Sequence, residues 1–170
     1  MSQKKGRTTF PTVPIQELPE SAIASAAEPY RPVVLVVDDE YVIADTLAQI
    51  LKHNGYAAIS AYDGEAALET ALTMPPELLI SDVILPGMSG IELAIAIRRI
   101  FPECKVILSS GQPTSARLLA TAGSAGHHFL FLHKPVHPTD LLEHVSESLG
   151  GRKQPQAEPL PAVTTEKGLR

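Results

Sequence analysis

The chain has one cysteine, no tryptophan and only 5% aromatic residues among its 170. A single thiol, Cys104, cannot close an internal disulfide. That excludes the disulfide framework of small secreted domains and makes a reducing cytoplasm the expected setting. No apolar run exceeds five residues, the length of Val33–Val37. A membrane helix needs about 20 apolar residues, and a secretory leader about 7–15 behind a basic start. Residues 1–7 are basic, but residues 8–14 are polar and broken by proline, so neither segment is expected here. No heptad pattern, internal repeat, G-x-G-x-x-G or Walker motif occurs. What remains is 44% apolar and 19% charged. That is enough for one packed domain and too little charge for a fully disordered chain.

Charge and proline divide the chain. Residues 33–149 carry 6 Lys/Arg and 14 Asp/Glu, a net of −8, whereas residues 1–32 sum to +1 and residues 150–170 to +2. An acidic centre with weakly basic ends is a poor footprint for nucleic acid but suits a cation site if the carboxylates converge. Eight of the fifteen prolines fall in the two end segments, and Gly150-Gly151 is a natural helix stop. We therefore expect flexible extensions at 1–31 and 150–170 around a domain at 32–149.

Within that domain, strand and helix signals alternate. Val33–Val37 is a β-branched run suited to a strand buried on both faces. Ile43, Leu47, Ile50 and Leu51 then form one helical stripe that ends near Asn54-Gly55. Residues 56–61 read as a strand, Asp63-Gly64 as a turn, 66–72 as a helix and 78–81 as a third strand ending on Asp82. A loop follows to Ser89, which begins a helix stopped before Pro102. Residues 106–108 are a fourth strand running into Ser109-Ser110-Gly111. A helix is expected at 114–122, a fifth strand at 129–132 and a last helix at 138–149, with Pro138 in its first turn. Five β-α units predict a doubly wound α/β fold, a five-stranded parallel sheet with helices on both faces. Such sheets carry their sites at the carboxyl ends of the strands. Those ends hold Asp38 and Asp39, Asp82, Ser109 and Ser110, and Lys134.

Three clustered carboxylates repel one another and call for a cation. Oxygen-only ligands select a hard ion, and Mg²⁺ takes one or two carboxylates, keeps waters and adds a phosphate oxygen. An Asp on a neighbouring strand can then act as a nucleophile toward phosphorus. Lys134 and a serine hydroxyl would neutralise and bond the equatorial oxygens. A lone strand-end Asp is often only a helix cap, and a lone Lys a solvated group. Their joint placement at four strand ends is much harder to obtain from capping alone.

The segments VVLVVDDE (33–40), LLISDVILPGMSGIEL (78–93), KVILSSG (105–111) and FLHKPV (131–136) resemble the receiver domain of two-component response regulators over roughly residues 32–149. The acidic pair, the Asp-x-x-x-Pro-x-x-x-Gly spacing of Asp82, Pro86 and Gly90, and Lys134-Pro135 make the set specific. The resemblance implies a strand order of 2-1-3-4-5. It casts Asp82 as phospho-acceptor and Asp38, Asp39 and Asp82 as holding Mg²⁺ together with the main-chain carbonyl of Ile84. Ser110 matches the hydroxyl switch, Lys134 the phosphoryl-pairing lysine, and Phe131 the aromatic switch. The Lys134-Pro135 bond matches one that is cis in the family. Ile84 and Gln112 occupy positions that influence dephosphorylation. The stretch from Ser110 to Lys134 is about two residues longer than usual, which blurs the fourth helix. That helix, the fifth strand and the fifth helix usually form the output and dimer face.

The resemblance implies a phosphorylatable receiver, not an enzyme in the usual sense. A sensor histidine kinase or a phosphotransfer protein would supply the phosphoryl group. The response would pass to an unknown downstream protein, with a homodimer as one route. No nucleic-acid or membrane partner is expected, and the 21 residues after 149 are too few for an output domain. A Mg²⁺-dependent phosphatase with an Asp nucleophile would require Asp-x-Asp after the first strand, which Asp38-Asp39-Glu40 lacks. A receiver-fold binding module that is never phosphorylated is opposed by the complete set of Asp38, Asp39, Asp82, Ser110 and Lys134. His127, His128, His133 and His137 cluster in sequence, but Pro135 separates the only pair spaced like helical zinc ligands.

Overall fold

The computed structural model describes residues 29–113 and 115–151, so most of both expected extensions lies outside the described residues. Among the described residues ten elements alternate, all within the unit Arg31–Arg170. They are β1 (Val33–Val37), α1 (Tyr41–His53), β2 (Ala57–Ala61), α2 (Gly64–Thr73), β3 (Leu78–Asp82), α3 (Gly90–Ile100), β4 (Lys105–Ser110), α4 (Ser115–Ser124), β5 (Leu130–His133) and α5 (Pro138–Ser148). The strands form one sheet in the order β2-β1-β3-β4-β5, and every pairing is parallel. Fold class and strand order therefore match the expectation.

The pleat explains why the central strands are apolar throughout. Successive side chains of a strand point to opposite faces. Leu35, Val37 and Leu79 pack on one side with Ala67 and Ala71 of α2 and Leu93, Ala94 and Ile97 of α3. Val34, Val36 and Ile80 pack on the other with Ala48 and Leu51 of α1 and Leu141 and Val145 of α5. Both faces are covered, so no polar alternation survives in β1 or in most of β3.

The structure corrects several local expectations. In α1 the deepest residues are Ala44, Ala48 and Leu51, while Ile43, Leu47 and Ile50 are only half-buried. The small alanines let the helix approach the sheet, and Ile43 and Leu47 instead line a cleft shared with Leu132 and Leu141. The Asp63-Gly64 pair is less a turn than a helix start, because Asp63 caps α2 by accepting from the Ala66 N–H at 2.7 Å. Strand β5 begins one residue later than expected, and α4 runs through Gly123 to Ser124. Cys104, next to the start of β4, is 2% exposed, and burial pushes its thiol up to about 11. It is protonated and shielded at neutral pH.

The amino end of α3 is held tightly. Ser89 and Glu92 form a capping box, and the Gly90 N–H donates to the Val83 carbonyl at 3.1 Å. A Cβ on Gly90 would stand 1.8 Å from the main-chain oxygen of Asp82, so only glycine lets α3 start against the end of β3. Gly90→Ala is expected to cost about 3 kcal/mol or more through the forced displacement. Urea unfolding checks this, and an unchanged midpoint would contradict the close approach.

Candidate functional site

The carboxyl ends of β1, β3 and β5 converge on one amine. Asp38 directly follows β1, and its N–H donates to the Ala61 carbonyl at 3.2 Å, which carries the chain beyond the strand beside β2. Its side chain is buried, with 3% of the residue exposed. Asp38 Oδ1 accepts from the Glu40 N–H at 3.1 Å. Asp82 is the last residue of β3, and its Oδ1 accepts from the Ile84 N–H at 3.0 Å. The second oxygen of each carboxylate binds Lys134, whose Nζ lies 2.6 Å from Asp38 Oδ2 and 2.8 Å from Asp82 Oδ2. The Lys134-Pro135 bond is cis.

Asp39 completes an acidic group, with one oxygen from each of Asp38, Asp39 and Asp82 within 4.8 Å of the others. It is the only cluster of three or more potential metal ligands among the described residues. Three carboxylates facing one ammonium leave two negative charges uncompensated. The donors are all hard oxygens, and Asp39 is solvent-facing. This set fits a hydrated divalent cation of the Mg²⁺ type. Burial alone would pull the Lys134 pKa down, but its hydrogen bonds and charge attraction to Asp38 and Asp82 outweigh burial and hold it above the ordinary lysine value. The stability that this amine contributes is fully present below the unfolded lysine pKa, about 10.4. It is lost only as pH rises through the raised folded value, so the ammonium persists across the neutral range.

Ser109 and Ser110 end β4 and face opposite ways, as neighbours in a strand must. Ser109 lines the cleft of about 450 Å³ between α1 and α5, alongside Ile80, Lys134 and Leu141. Ser110 is 2% exposed, and its Oγ accepts from the Gln112 N–H at 3.2 Å. Its main-chain oxygen accepts from the Lys134 N–H at 3.1 Å, tying the serine's strand to the lysine's. Phe131 is half-buried on β5, opposite Leu108, and meets the His133 ring edge-on at 4.7 Å. Ile84 packs against the core from the β3–α3 loop.

The histidines do separate jobs. The His127 ring lies parallel to Phe129 at 6.3 Å, with the Arg98 guanidinium 5.8 Å from the Phe129 ring centre. His137 caps α5 by accepting from the Thr139 N–H. Sequence reading missed that cap, although Pro138 at the first helical position signalled it. It also passed over Ser115, which is buried at the start of α4. A larger cavity of about 600 Å³ lies at the amino ends of the strands among Pro32, Pro76, Phe101 and Pro102, at the opposite end of the sheet from the carboxylates. No helix among the described residues is long and apolar enough to cross a membrane.

The family model described as "Response regulator receiver domain" matches residues 34–146. A candidate two-component response regulator of Arabidopsis thaliana, ARR21, is 31% identical over 122 residues, 71% of this chain. The chain spans about a fifth (19%) of that relative's length. Among solved structures, the signal receiver domain of an HD domain-containing protein from Pseudomonas fluorescens Pf-5 is similar. It aligns with a TM-score of 0.65 at 32% identity, covering 71% of this chain and 95% of that one. A CheY-like receiver domain protein from Methanospirillum hungatei JF-1 aligns with a TM-score of 0.63 at 30% identity, covering 71% and 94%. Chemotaxis protein CheY4 of Vibrio cholerae aligns with a TM-score of 0.62 at 27% identity, covering 70% and 99%.

If the acidic group takes a cation, ten times its dissociation constant of MgCl₂ stabilises the fold by about 1.4 kcal/mol, a rise in Tm of roughly 4 °C. Asp39→Asn is expected to abolish most of that rise without unfolding the protein. A wild-type Tm indifferent to Mg²⁺ in thermal denaturation would refute the cation assignment.

Proposed function

We propose a phosphorylation switch, on the premise that this chain belongs to the response regulator receiver domain family. Receiver domains are signalling domains of two-component systems, and membership implies a histidine kinase or phosphotransfer partner. In our reading Asp82 is the phospho-acceptor. One of its carboxylate oxygens attacks phosphorus, the donor's N–P bond breaks, and the departing imidazole nitrogen keeps the electron pair. The observation that carries this reading is the Lys134 ammonium bridging Asp38 and Asp82 at 2.6 and 2.8 Å beside the exposed Asp39.

Each residue has a task in that transfer. Asp38, Asp39, Asp82 and the main-chain carbonyl of Ile84 would hold Mg²⁺, which supplies positive charge to the phosphoryl oxygens. Lys134 already touches Asp82, so it pairs with a phosphoryl oxygen after a short movement of its amine. Ser110 stands at the end of β4, the strand next to β3, and its hydroxyl proton is available to donate to another oxygen. Asp38 is fixed by the Glu40 N–H, which keeps it from turning away when Lys134 changes partner. Phe131 would follow Ser110 as the aromatic switch.

The domain assignment that accompanies this reading is a receiver at 32–149, with extensions at 1–31 and 150–170, in the cytoplasm. The signal would leave through protein contact. Leu118 on α4 and Leu130 on β5 are 43% and 40% exposed, which supports a face built from α4, β5 and α5 for a downstream protein or a second copy. The net charge of −8 over 33–149 disfavours nucleic acid as the direct partner.

Intact-mass measurement after incubation with acetyl phosphate tests the switch. Wild type is expected to gain one phosphoryl group only with Mg²⁺, and Asp82→Asn to gain none. Lys134→Ala should label at least about tenfold more slowly, the loss of one charge-assisted contact. A folded wild type that stays unlabelled would favour a binding module, and catalytic turnover of small phosphoesters would favour a phosphatase.

A further inference from the structure

Ser115, the first residue of α4, is 0% exposed. Its Oγ has no hydrogen-bond partner, and it is the only such buried side-chain atom among the described residues. A buried hydroxyl without a partner is costly, and a native protein that keeps one calls for an explanation. Five residues earlier stands Ser110, whose Oγ accepts from the Gln112 N–H at 3.2 Å. Gln112 is also linked to Ser115, because its carbonyl accepts from the Ser115 N–H at 3.2 Å.

That link sets up a second bond which is not made. An oxygen-bearing side chain can accept from a backbone N–H three residues before it. The protein does this at α3, where the Ser89 N–H donates to Glu92 Oε2 at 2.9 Å. Gln112 and Ser115 are likewise three residues apart, with Ser115 standing at the first position of its helix rather than the third. The Gln112 N–H thus has one serine oxygen before it, in use, and one after it, idle.

We propose that Ser115 is a positioning residue of the switch: when Ser110 turns its hydroxyl toward a phosphoryl group on Asp82, the Gln112 N–H passes from Ser110 Oγ to Ser115 Oγ and reseats the amino end of α4. The trigger rests on the phospho-acceptor reading of Asp82, but the hand-over can be provoked without it. In the resting state Ser115 Oγ is the unpaired group. After the exchange none is left, so the rearranged loop gains what the resting loop forgoes. The displacement of Ser110 is thereby felt at α4 through a local hydrogen bond.

Amide hydrogen exchange at Gln112, read by NMR on the full-length protein, tests the hand-over directly. Ser110→Ala removes the present acceptor. The Gln112 amide is expected to stay protected, and Ser110→Ala with Ser115→Ala to exchange about tenfold faster than Ser110→Ala alone. Equal rates in those two variants would mean that the amide turns to water, and would overturn the proposal. Ser115→Ala by itself should raise Tm by roughly 2–5 °C through removal of an unpaired buried hydroxyl. A fall would show the oxygen already bonded at rest and would equally overturn it. After acetyl phosphate, with labelling verified by mass, wild type should keep Gln112 protected and Ser115→Ala should lose that protection. If no phosphoryl group is taken up, the Asp82 reading fails, while the two Ser110→Ala variants still decide the hand-over.

Discussion

The structure turns on a charge constraint at the carboxyl edge of the sheet. Asp38, Asp39 and Asp82 bring three negative charges within 4.8 Å, and a single ammonium from Lys134 holds two of them together. Carboxylates so close raise one another's energy, so the arrangement persists only where the fold imposes it. Each charged group is therefore pinned at the backbone level: Asp38 and Asp39 just beyond β1, Asp82 at the last position of β3, and Lys134 just after β5. The site is a surplus of negative charge held on rigid strand ends.

That rigidity comes from the parallel sheet. Strands buried on both faces leave the backbone little freedom to shift register, since a one-residue slip would exchange the side chains facing the two cores. Asp82 thus shares a fixed level with Ser109 in the β3–β4 register, and Ser110 with His133 in the β4–β5 register. The close seat of Gly90 against the Asp82 carbonyl adds a second constraint, coupling the acid's strand to α3. Beyond Ser110 the bonds at Gln112 and Ser115 are single and local, and the Ser115 hydroxyl makes none.

Much of this was legible beforehand because the signals were local. The β-branched run of β1, the Ser89 start of α3 and the prolines flanking α3 and α5 are short-range effects of sterics and capping. The stripe of Ile43, Leu47, Ile50 and Leu51 located α1 and its buried Leu51, but Ile43, Leu47 and Ile50 are only half-buried. Periodicity counts hydrophobicity but not size, and at close quarters the sheet selected Ala44 and Ala48. The pairing of Ser109 with the α1–α5 cleft and of Ser110 with Gln112 was not legible either, because two adjacent serines look alike until the strand's pleat assigns them to faces.

The sequence by itself determined which residues would stand at the strand ends, and hence the chemistry of the edge: acids after the first and third strands, hydroxyls after the fourth and an amine after the fifth. This follows from hydrophobic runs ending where polar residues begin. Only the tertiary structure decided which groups share a proton donor. Lys134 bridges Asp38 and Asp82 from 96 and 52 residues away, Gly90 abuts the Asp82 carbonyl, and Ser115 is buried with its oxygen unused. Those facts depend on how strands distant in the chain lie side by side and on how closely the helices settle onto them, and no local pattern encodes either distance.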